Sequence, residues 1–262
     1  MRKKAIALLA VLAVLVLGAV PAPAEITVTK KDLAQNTELD KNVSNILVLM
    51  QDGDTTDAMM IASINSRTGR SVMTRVDCAR EVGIPEEGTV PMGSVYMLGG
   101  EKSRGFLVAR TLNQLLGLNI GTYVALDITS LPELVDAVDY LYFELNDEEA
   151  AALGLEPGGN DLEGEEVLTY VRLKLDGDSP ARSRGYDALM QLLYQGLHSG
   201  NIMDMMGLGS KLLASMDTNL NVMQAVTLAS AVQAGTDRRE VLIDSAMTDE
   251  EAAALLQKEI YE

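Results

Sequence analysis

Three aspartates follow the first strand-like apolar run of this 262-residue chain. Asp52, Asp54 and Asp57 come directly after Ile46–Leu49, a continuous apolar run typical of a buried strand. Ligands bind at strand ends in α/β sheets, and clustered carboxylates there suit a hard cation such as Mg²⁺. The cluster is therefore a candidate metal site. The alternative is a solvated turn, because Asp is common in turns for local reasons.

Four cations gather later, in a chain that is otherwise short of them. They are Arg172, Lys174, Arg182 and Arg184. We expect Arg172 and Lys174 to lie at a strand end, where residues two apart project to one face and converge on one phosphate group. Arg182 and Arg184 precede a predicted helix, whose first amides attract anions. The alternative is surface charge paired with nearby acidic side chains.

Several other kinds of site are excluded by what the sequence lacks. His198 is the single histidine and Cys78 the single cysteine, so one chain cannot supply several His or Cys metal ligands. No G-x-S-x-G elbow, P-loop or H-E-x-x-H motif occurs. We expect Cys78 to be a buried, unreactive thiol. The net charge of −17 argues against nucleic acid as a partner.

Alternating strand and helix patterns must position the two clusters. Apolar runs predict strands at residues 46–49, 59–64, 71–76 and 123–128. Helical spacing predicts helices at residues 106–116, 130–138, 186–197, 203–216 and 222–233. Gly117 is predicted to end the first helix, Ser130 to cap the second, and the acidic stretch 147–166 to be an exposed loop. The pattern predicts an α/β fold, a central mixed β-sheet flanked by helices in a single α-β-α domain.

The N-terminus has the pattern of an export signal. Basic residues at positions 2–4 precede an apolar run over residues 5–20, and Ala22 and Ala24 form a cleavage signal. The run is shorter than the ~20 residues that cross a bilayer comfortably, so residues 1–24 are predicted as a signal peptide or, alternatively, a signal anchor. Residues 25–44 predict a tether, and residues 45–262 the domain. We expect the protein outside the bacterial cell membrane, secreted or anchored to its outer face.

Several segments follow one another in an order known from one family. They are Asn45–Leu49 with Asp52, the blocks DAMM at 57–60 and SIN at 63–65, GG at 99–100, LLG at 115–117, LVDA at 134–137 and LEGEEVLTYVR at 162–172. The last block is similar to LDGEQALAYVR of the LytR-CpsA-Psr family of cell-wall enzymes. Spread over residues 45–197, the segments together resemble that family, and their order makes chance agreement improbable.

The resemblance implies transfer of a glycopolymer from a polyprenyl-pyrophosphate lipid carrier to peptidoglycan, by phosphotransferase or pyrophosphatase chemistry. It implies that Asp52 and Asp57 hold Mg²⁺ and that Asp57 and Arg172 are catalytic. The implied phosphate-binding residues are Arg80, Arg172, Lys174, Arg182 and Arg184. The lipid tail would lie in an apolar groove between sheet and helices. Membrane contact would come through the N-terminal segment or the lipid substrate.

The family's SIPRD element is altered in this chain. Alignment on the following Ile84-Pro85 places Cys78 and Ala79 on its Arg-Asp pair, with Arg75 or Arg80 as a nearby substitute. A family arginine after the first aspartate is also absent, because Gly53 and Asp54 occupy that stretch.

Two further departures lie in the basic region. Lys174 replaces an arginine, which removes a bidentate contact, and Gly185 replaces a glutamine. These departures keep two alternatives open. One is a non-catalytic relative that binds polyprenyl-linked glycans or a wall-assembly partner. The other is a structural wall protein whose core is filled where the lipid groove would be.

Overall fold

The structure is a computed structural model that describes residues 25–33, 39–85, 87–175, 183–198, 216–221, 223–225, 230 and 235–262. The predicted export signal, Arg182 and most of the predicted helices 203–216 and 222–233 lie outside these residues. Within the described ranges, no helix combines the length and the hydrophobicity needed to cross a membrane.

The strands form one central sheet and two small hairpins. The central strands are β1 (Val43–Asp52), β2 (Thr55–Asn65), β3 (Arg70–Val76), β6 (Ile120–Asp127), β9 (Asp217–Thr218) and β10 (Asp237–Ile243). In the described part of the chain they make a six-stranded sheet in the order β10-β3-β2-β1-β6-β9. The pairs β1–β6 and β3–β10 are parallel, and the other pairs are antiparallel. The sheet is therefore mixed, as predicted.

The hairpins and helices surround this sheet. The hairpins are β4 (Glu81–Ile84) with β5 (Gly88–Pro91) and β7 (Leu141–Leu145) with β8 (Gly158–Leu162). The helices are α1 (Val95–Leu98), α2 (Arg104–Leu116), α3 (Leu131–Asp136), α4 (Asp147–Leu153), α5 (Gly164–Arg172), α6 (Arg184–His198) and α7 (Asp249–Leu256).

Alternation along β1 divides the molecule into two apolar cores. Leu47 and Leu49 belong to the core that includes α2 and α7, whereas Ile46 and Met50 belong to the core that includes α3, α4, α5 and α6. Successive strand residues point to opposite faces, so a near-continuous apolar run is what a strand covered on both faces requires. The predicted single α/β domain, with helices on both sides of the sheet, is confirmed.

The prediction of an exposed loop over residues 147–166 is wrong. This stretch contains α4, β8 and the start of α5. Asn146 caps α4 by accepting hydrogen bonds from the amides of Glu148 and Glu149, and Ala150 and Leu162 are fully buried. The buried apolar residues in this stretch are few and are separated by exposed acidic residues, so the apolar periodicity was too weak to predict the helices and the strand.

Two local predictions also need correction. Ser130 precedes α3, but its side chain makes no capping hydrogen bond; Asp127 instead accepts one from the amide of Thr129. Residues 25–33, predicted as part of a tether, pack on the domain. Ile26 bridges to Gly99, and Val28 and Leu33 are buried. Three buried apolar side chains and the backbone hydrogen bonds of Ile26 attach this short segment to the domain.

Candidate functional site

The hairpin between β1 and β2 positions the two predicted metal residues. Asp52 pairs with Thr55, which leaves a two-residue loop that begins at Gly53. Gly53 has a φ of 61°, a conformation that glycine adopts without steric cost. The pairing then shifts register, so that Asp57 is the extra residue of a β-bulge. Asp52 and Asp57 therefore both lie beside the β1–β2 turn, and the bulge interrupts the regular side-chain alternation at Asp57.

The end of α5 brings two cations to these carboxylates. Nη2 of Arg172 lies 3.4 Å from Oδ1 of Asp52, and Nζ of Lys174 lies 3.7 Å from Oδ2 of Asp57. Arg172 is the last residue of a helix rather than a strand residue, and the helix dipole favours a cation there. The structure therefore joins residues more than a hundred positions apart into two neighbouring ion pairs. We call these four residues the charged cluster.

The start of α6 lies against the same hairpin. The Ser183 hydroxyl accepts a hydrogen bond from the amide of Tyr186 at 3.1 Å, which caps the helix, and donates one to the carbonyl of Asp57 at 3.3 Å. A Cβ on Gly185 would lie 3.1 Å from Cβ of Ala58 and 3.1 Å from Sδ of Met50. The glycine at this position is what lets the helix start approach the strands so closely.

Arg80, a predicted phosphate-binding residue, does not reach the charged cluster. Its guanidinium is 5% exposed and lies 2.5 Å from the carboxylate of Asp249. It also donates to the carbonyls of Asp244 and Met247 at 2.9 and 2.8 Å. The hydrogen bonds direct Arg80 towards the start of α7, so it joins that helix to the turn after β3.

Arg184 is also committed to protein partners. Its side chain is 3% exposed, and Nε lies 2.9 Å from Oε1 of Glu149, which is 1% exposed. Nη1 donates to the carbonyl of Leu173 at 3.2 Å. Arg182 lies outside the described residues. Of the five predicted phosphate-binding residues, the structure brings Arg172 and Lys174 to the two aspartates.

Arg75 was predicted only as a nearby substitute for a family arginine. It projects from β3 towards the helix layer that contains α6, and its guanidinium lies 5.2 Å from the ring centre of Tyr186. Within the described ranges, Arg75 makes no ion pair. Arg75 is two residues from Met73, which belongs to the core that includes α6. That spacing was the signal in the sequence that Arg75 faces the same helix layer. Ser183 and Glu149 were missed; the spacing of Asn146 and Glu149 as a capping box was the signal for the latter.

Cys78 is the residue that the resemblance aligns with a family arginine. It is partly buried, and burial raises the pKa of its thiol to about 12, helped by the negative charges of Asp77 and Asp57. The thiol therefore stays protonated at neutral pH. Since the thiolate is the nucleophilic form, this environment agrees with the predicted unreactive cysteine.

The carboxylates of the charged cluster have the donor chemistry that Mg²⁺ prefers. Asp52 and Asp57 are 36% and 19% exposed, so both can be reached from solvent. No group of three or more His, Cys, Asp or Glu side chains suited to a metal occurs among the residues that the structure describes. Mg²⁺ is commonly held by one or two carboxylates together with substrate phosphates and water. Two carboxylates fit that mode of binding.

An apolar cavity lies in the same helix layer. It has a volume of about 180 Å³ and lies between the sheet and α6. Its lining is mostly apolar, with Met73, Met190 and Leu193, but also includes the charged residues 238–240 of β10. The contact between Arg75 and Tyr186 lies between this cavity and the charged cluster. Arg75 follows Met73 on the same face of β3, and Tyr186 precedes Met190 by one turn of α6. A larger cavity of about 560 Å³ lies at the opposite end of β1, around Ser44 and Thr122. The strand rise separates it from Asp52 by roughly 25 Å.

Comparisons with known sequences identify one family. A model of the LytR_cpsA_psr family matches residues 21–255. Biofilm regulatory protein A of Streptococcus mutans is 24% identical over 187 residues, which cover 63% of this chain and 45% of that protein. The polyisoprenyl-teichoic acid–peptidoglycan teichoic acid transferase TagU of Oceanobacillus iheyensis is 27% identical over 149 residues, which cover 52% of this chain and 45% of that protein. The chain thus spans less than half the length of these relatives.

Solved structures share the fold. The crystal structure of B. subtilis TagT aligns with a TM-score of 0.71 at 17% identity, covering 90% of this chain and 99% of that one. A structure of the LytR-CPS2A-psr family protein YwtF (TagT) with bound octaprenyl pyrophosphate lipid aligns with a TM-score of 0.66 at 18% identity, with the same coverage. TagT bound to LIIa-WTA aligns with a TM-score of 0.69 at 18% identity, covering 86% of this chain and 94% of that one.

Proposed function

We propose, from the premise that this chain belongs to the LytR_cpsA_psr family, that it transfers a glycopolymer from a polyprenyl-pyrophosphate carrier to peptidoglycan outside the cell membrane. The observation that carries the proposal is the charged cluster, in which Arg172 and Lys174 meet Asp52 and Asp57 at one end of the sheet. Related proteins whose names or bound molecules include a teichoic acid transferase and octaprenyl pyrophosphate support it.

The cluster has the charges that phosphoryl transfer requires. In the proposed reaction an acceptor hydroxyl attacks the glycan-side phosphorus, the bond from that phosphorus to the bridging oxygen breaks, and polyprenyl monophosphate leaves while the hydroxyl proton passes to water. This chemistry depends on positioning and charge neutralisation rather than on a protein nucleophile. Arg172 and Lys174 would neutralise the phosphate oxygens. The amides at the start of α6, beside Asp57, would add to that attraction.

Magnesium is part of the proposal. Asp52 and Asp57 would hold Mg²⁺, which when bound would supply charge neutralisation for the pyrophosphate. The two cations that now pair with these carboxylates would then face the phosphate oxygens, so the ion pairs exchange one anionic partner for another. The proposed catalytic residues at the reacting phosphate are Asp57 and Arg172.

The mostly apolar cavity beside α6, with a volume of about 180 Å³, is the proposed site for the short part of the lipid tail that lies nearest the pyrophosphate. Its lining includes Met73 and Met190, and methionine side chains adapt to irregular apolar ligands. An amphiphile with an anionic head could place the head at the charged cluster and the tail in the cavity, passing Arg75 between them.

A second candidate is a non-catalytic relative that binds the lipid-linked glycan. One observation favours it: Arg80 and Arg184 are held by Asp249 and Glu149. The resemblance also aligns Cys78 with a family arginine. Fewer cations therefore face the cluster than the resemblance implies. Each charge-assisted hydrogen bond lost from the transition state costs about 1.5–3 kcal/mol, or about ten- to a hundredfold in rate.

A turnover assay separates the two candidates. The full chain is incubated with a polyprenyl-pyrophosphate-linked disaccharide, peptidoglycan fragments and Mg²⁺, and polyprenyl monophosphate is measured by mass spectrometry. We expect turnover that is lost on chelation of Mg²⁺ and reduced at least tenfold by Asp57→Asn. The matched control is Asp40→Asn, since Asp40 is also a partly exposed, ion-paired aspartate, 3.0 Å from Arg67, but lies at the other end of the sheet. Binding of geranyl pyrophosphate without turnover would favour the binder, and absence of both would refute both candidates.

A further inference from the structure

The buried ion pair between Arg184 and Glu149 joins three elements of the site layer. Glu149 lies in the first turn of α4, Arg184 is the first residue of α6, and the guanidinium of Arg184 also lies 5.8 Å from the ring centre of Tyr170 in α5. Both charged side chains are almost completely excluded from solvent, at 3% and 1% exposure. A buried charge requires a partner with good geometry, so this pair constrains the three helices relative to one another.

Glu149 is itself held in place by its own helix. Its Oε2 accepts a hydrogen bond from the amide of Asn146 at 3.2 Å, while its Oε1 lies 2.9 Å from Nε of Arg184. One carboxylate therefore completes the capping box of α4 and orients the guanidinium. Because both carboxylate oxygens of Glu149 are engaged, the side chains of Glu149 and Arg184 have little freedom to rotate.

The guanidinium reaches the backbone between the two cations of the charged cluster. Nη1 of Arg184 donates to the carbonyl of Leu173 at 3.2 Å. Helix α5 ends at Arg172, and Leu173 is extended, with φ −60° and ψ 134°. The last carbonyls of a helix lack intrahelical donors. Arg184 donates to the next carbonyl along the chain, that of Leu173. The orientation of this peptide sets the direction in which the chain continues into Lys174.

We propose that Arg184 and Glu149 are positioning residues that hold the Arg172-Leu173-Lys174 segment against Asp52 and Asp57, and that Arg184 does not itself contact the substrate. The catalytic part of this inference rests on the proposed transferase function. The positioning part rests on the contacts alone. An arginine side chain that is 3% exposed, and whose guanidinium contacts a carboxylate, a carbonyl and a ring, has little surface left for a phosphate.

The test uses Arg184→Lys in the full chain, because lysine keeps the charge but cannot span both Glu149 and the carbonyl of Leu173. Arg70→Lys is the matched control: Arg70 also bridges a carboxylate, that of Asp237 at 2.8 Å, and a backbone carbonyl, at 3.0 Å, but far from the cluster. We expect hydrogen–deuterium exchange of the amides at 173–175 to rise at least tenfold in Arg184→Lys and to be unchanged in Arg70→Lys. Unchanged exchange in Arg184→Lys would overturn the proposal.

The catalytic part is tested by combining substitutions. Arg184→Lys should lower kcat/KM about tenfold in the native background and less than about twofold when Arg172→Gln and Lys174→Gln are already present, because coupled residues are not additive. Glu149→Gln should reproduce both results, and it serves as the second variant if Arg184→Lys fails to fold. An equal loss in both backgrounds would show that Arg184 contacts the substrate. If the native chain has no turnover, the transferase proposal fails, and the exchange experiment still decides whether Arg184 positions the segment.

Discussion

Replacing Arg172 by glutamine should separate the catalytic role of the charged cluster from its contribution to stability. Arg172 and Asp52 are 45% and 36% exposed, and their charged atoms are 3.4 Å apart. Exposed ion pairs contribute about 0–1 kcal/mol to stability, and a cation at a helix C-terminus adds about 0.3–1 kcal/mol. The combined loss stays below about 2 kcal/mol, a fall in Tm of at most several degrees for a domain of this size.

The expected loss of activity is much larger. If Arg172 donates to the reacting phosphate, its removal costs about 1.5–3 kcal/mol in the transition state. That corresponds to a fall in kcat/KM of about ten- to a hundredfold. The measurement is formation of polyprenyl monophosphate in Mg²⁺, with Tm determined on the same preparation.

Arg67→Gln is the matched control for this substitution. Arg67 pairs with Asp40 at 3.0 Å and is 59% exposed, but it lies in the turn between β2 and β3, at the other end of the sheet. It should show a similar small change in Tm and no change in kcat/KM. A kcat/KM for Arg172→Gln within about twofold of the native value would refute the reasoning, as would an equal loss of activity in the control.

Three further outcomes are expected. Gly105→Ala should lower the free energy of unfolding by about 1–3 kcal/mol in chemical denaturation, because its Cβ would lie 2.2 Å from the Tyr123 ring; Gly121→Ala, with open space around it, should not show this overpacking loss. Iodoacetamide should label Cys78 very slowly at pH 8 and rapidly in denaturant, since its pKa is raised to about 12; fast native labelling would contradict this. Hydrogen bonds from Arg239 and Arg70 lower the pKa of Asp237, so the deficit in Tm of Asp237→Asn at pH 7 should begin to shrink as the pH falls below about 4 and vanish only below the lowered pKa; a deficit that stays constant over this range would argue against it.

Most of the sheet could be predicted because strands buried on both faces carry a strong local signal. The apolar runs at 46–49, 59–64 and 71–76 all lie within β1, β2 and β3. The stretch 147–166 was predicted wrongly because α4, β8 and α5 are short and mostly solvated, so a few buried positions are outweighed by acidic residues. The prediction of a strand end at Arg172 is wrong because Arg172 ends the short helix α5.

The charged cluster could be anticipated in part. The chemistry of Asp52 and Asp57 and of Arg172 and Lys174 pointed to one anion-binding site, and the order of the motifs pointed to the family that the comparisons identify. The bulge at Asp57 and the cap that Ser183 supplies depend on how strands and helices meet. The hydrophobic periodicity of a sequence does not predict such contacts.

Local patterning in the chain determined four strands of the central sheet (β1, β2, β3 and β6), several of the helices and the family, because hydrophobic alternation and motif order are properties of neighbouring residues. Packing decided which cations face the aspartates. Arg80 and Arg184 looked equivalent to Arg172 in the sequence, yet Asp249 and Glu149 hold them inside the protein. A charge that is excluded from water must find an opposite charge or a carbonyl nearby, and which one it finds depends on residues that only the completed fold brings together.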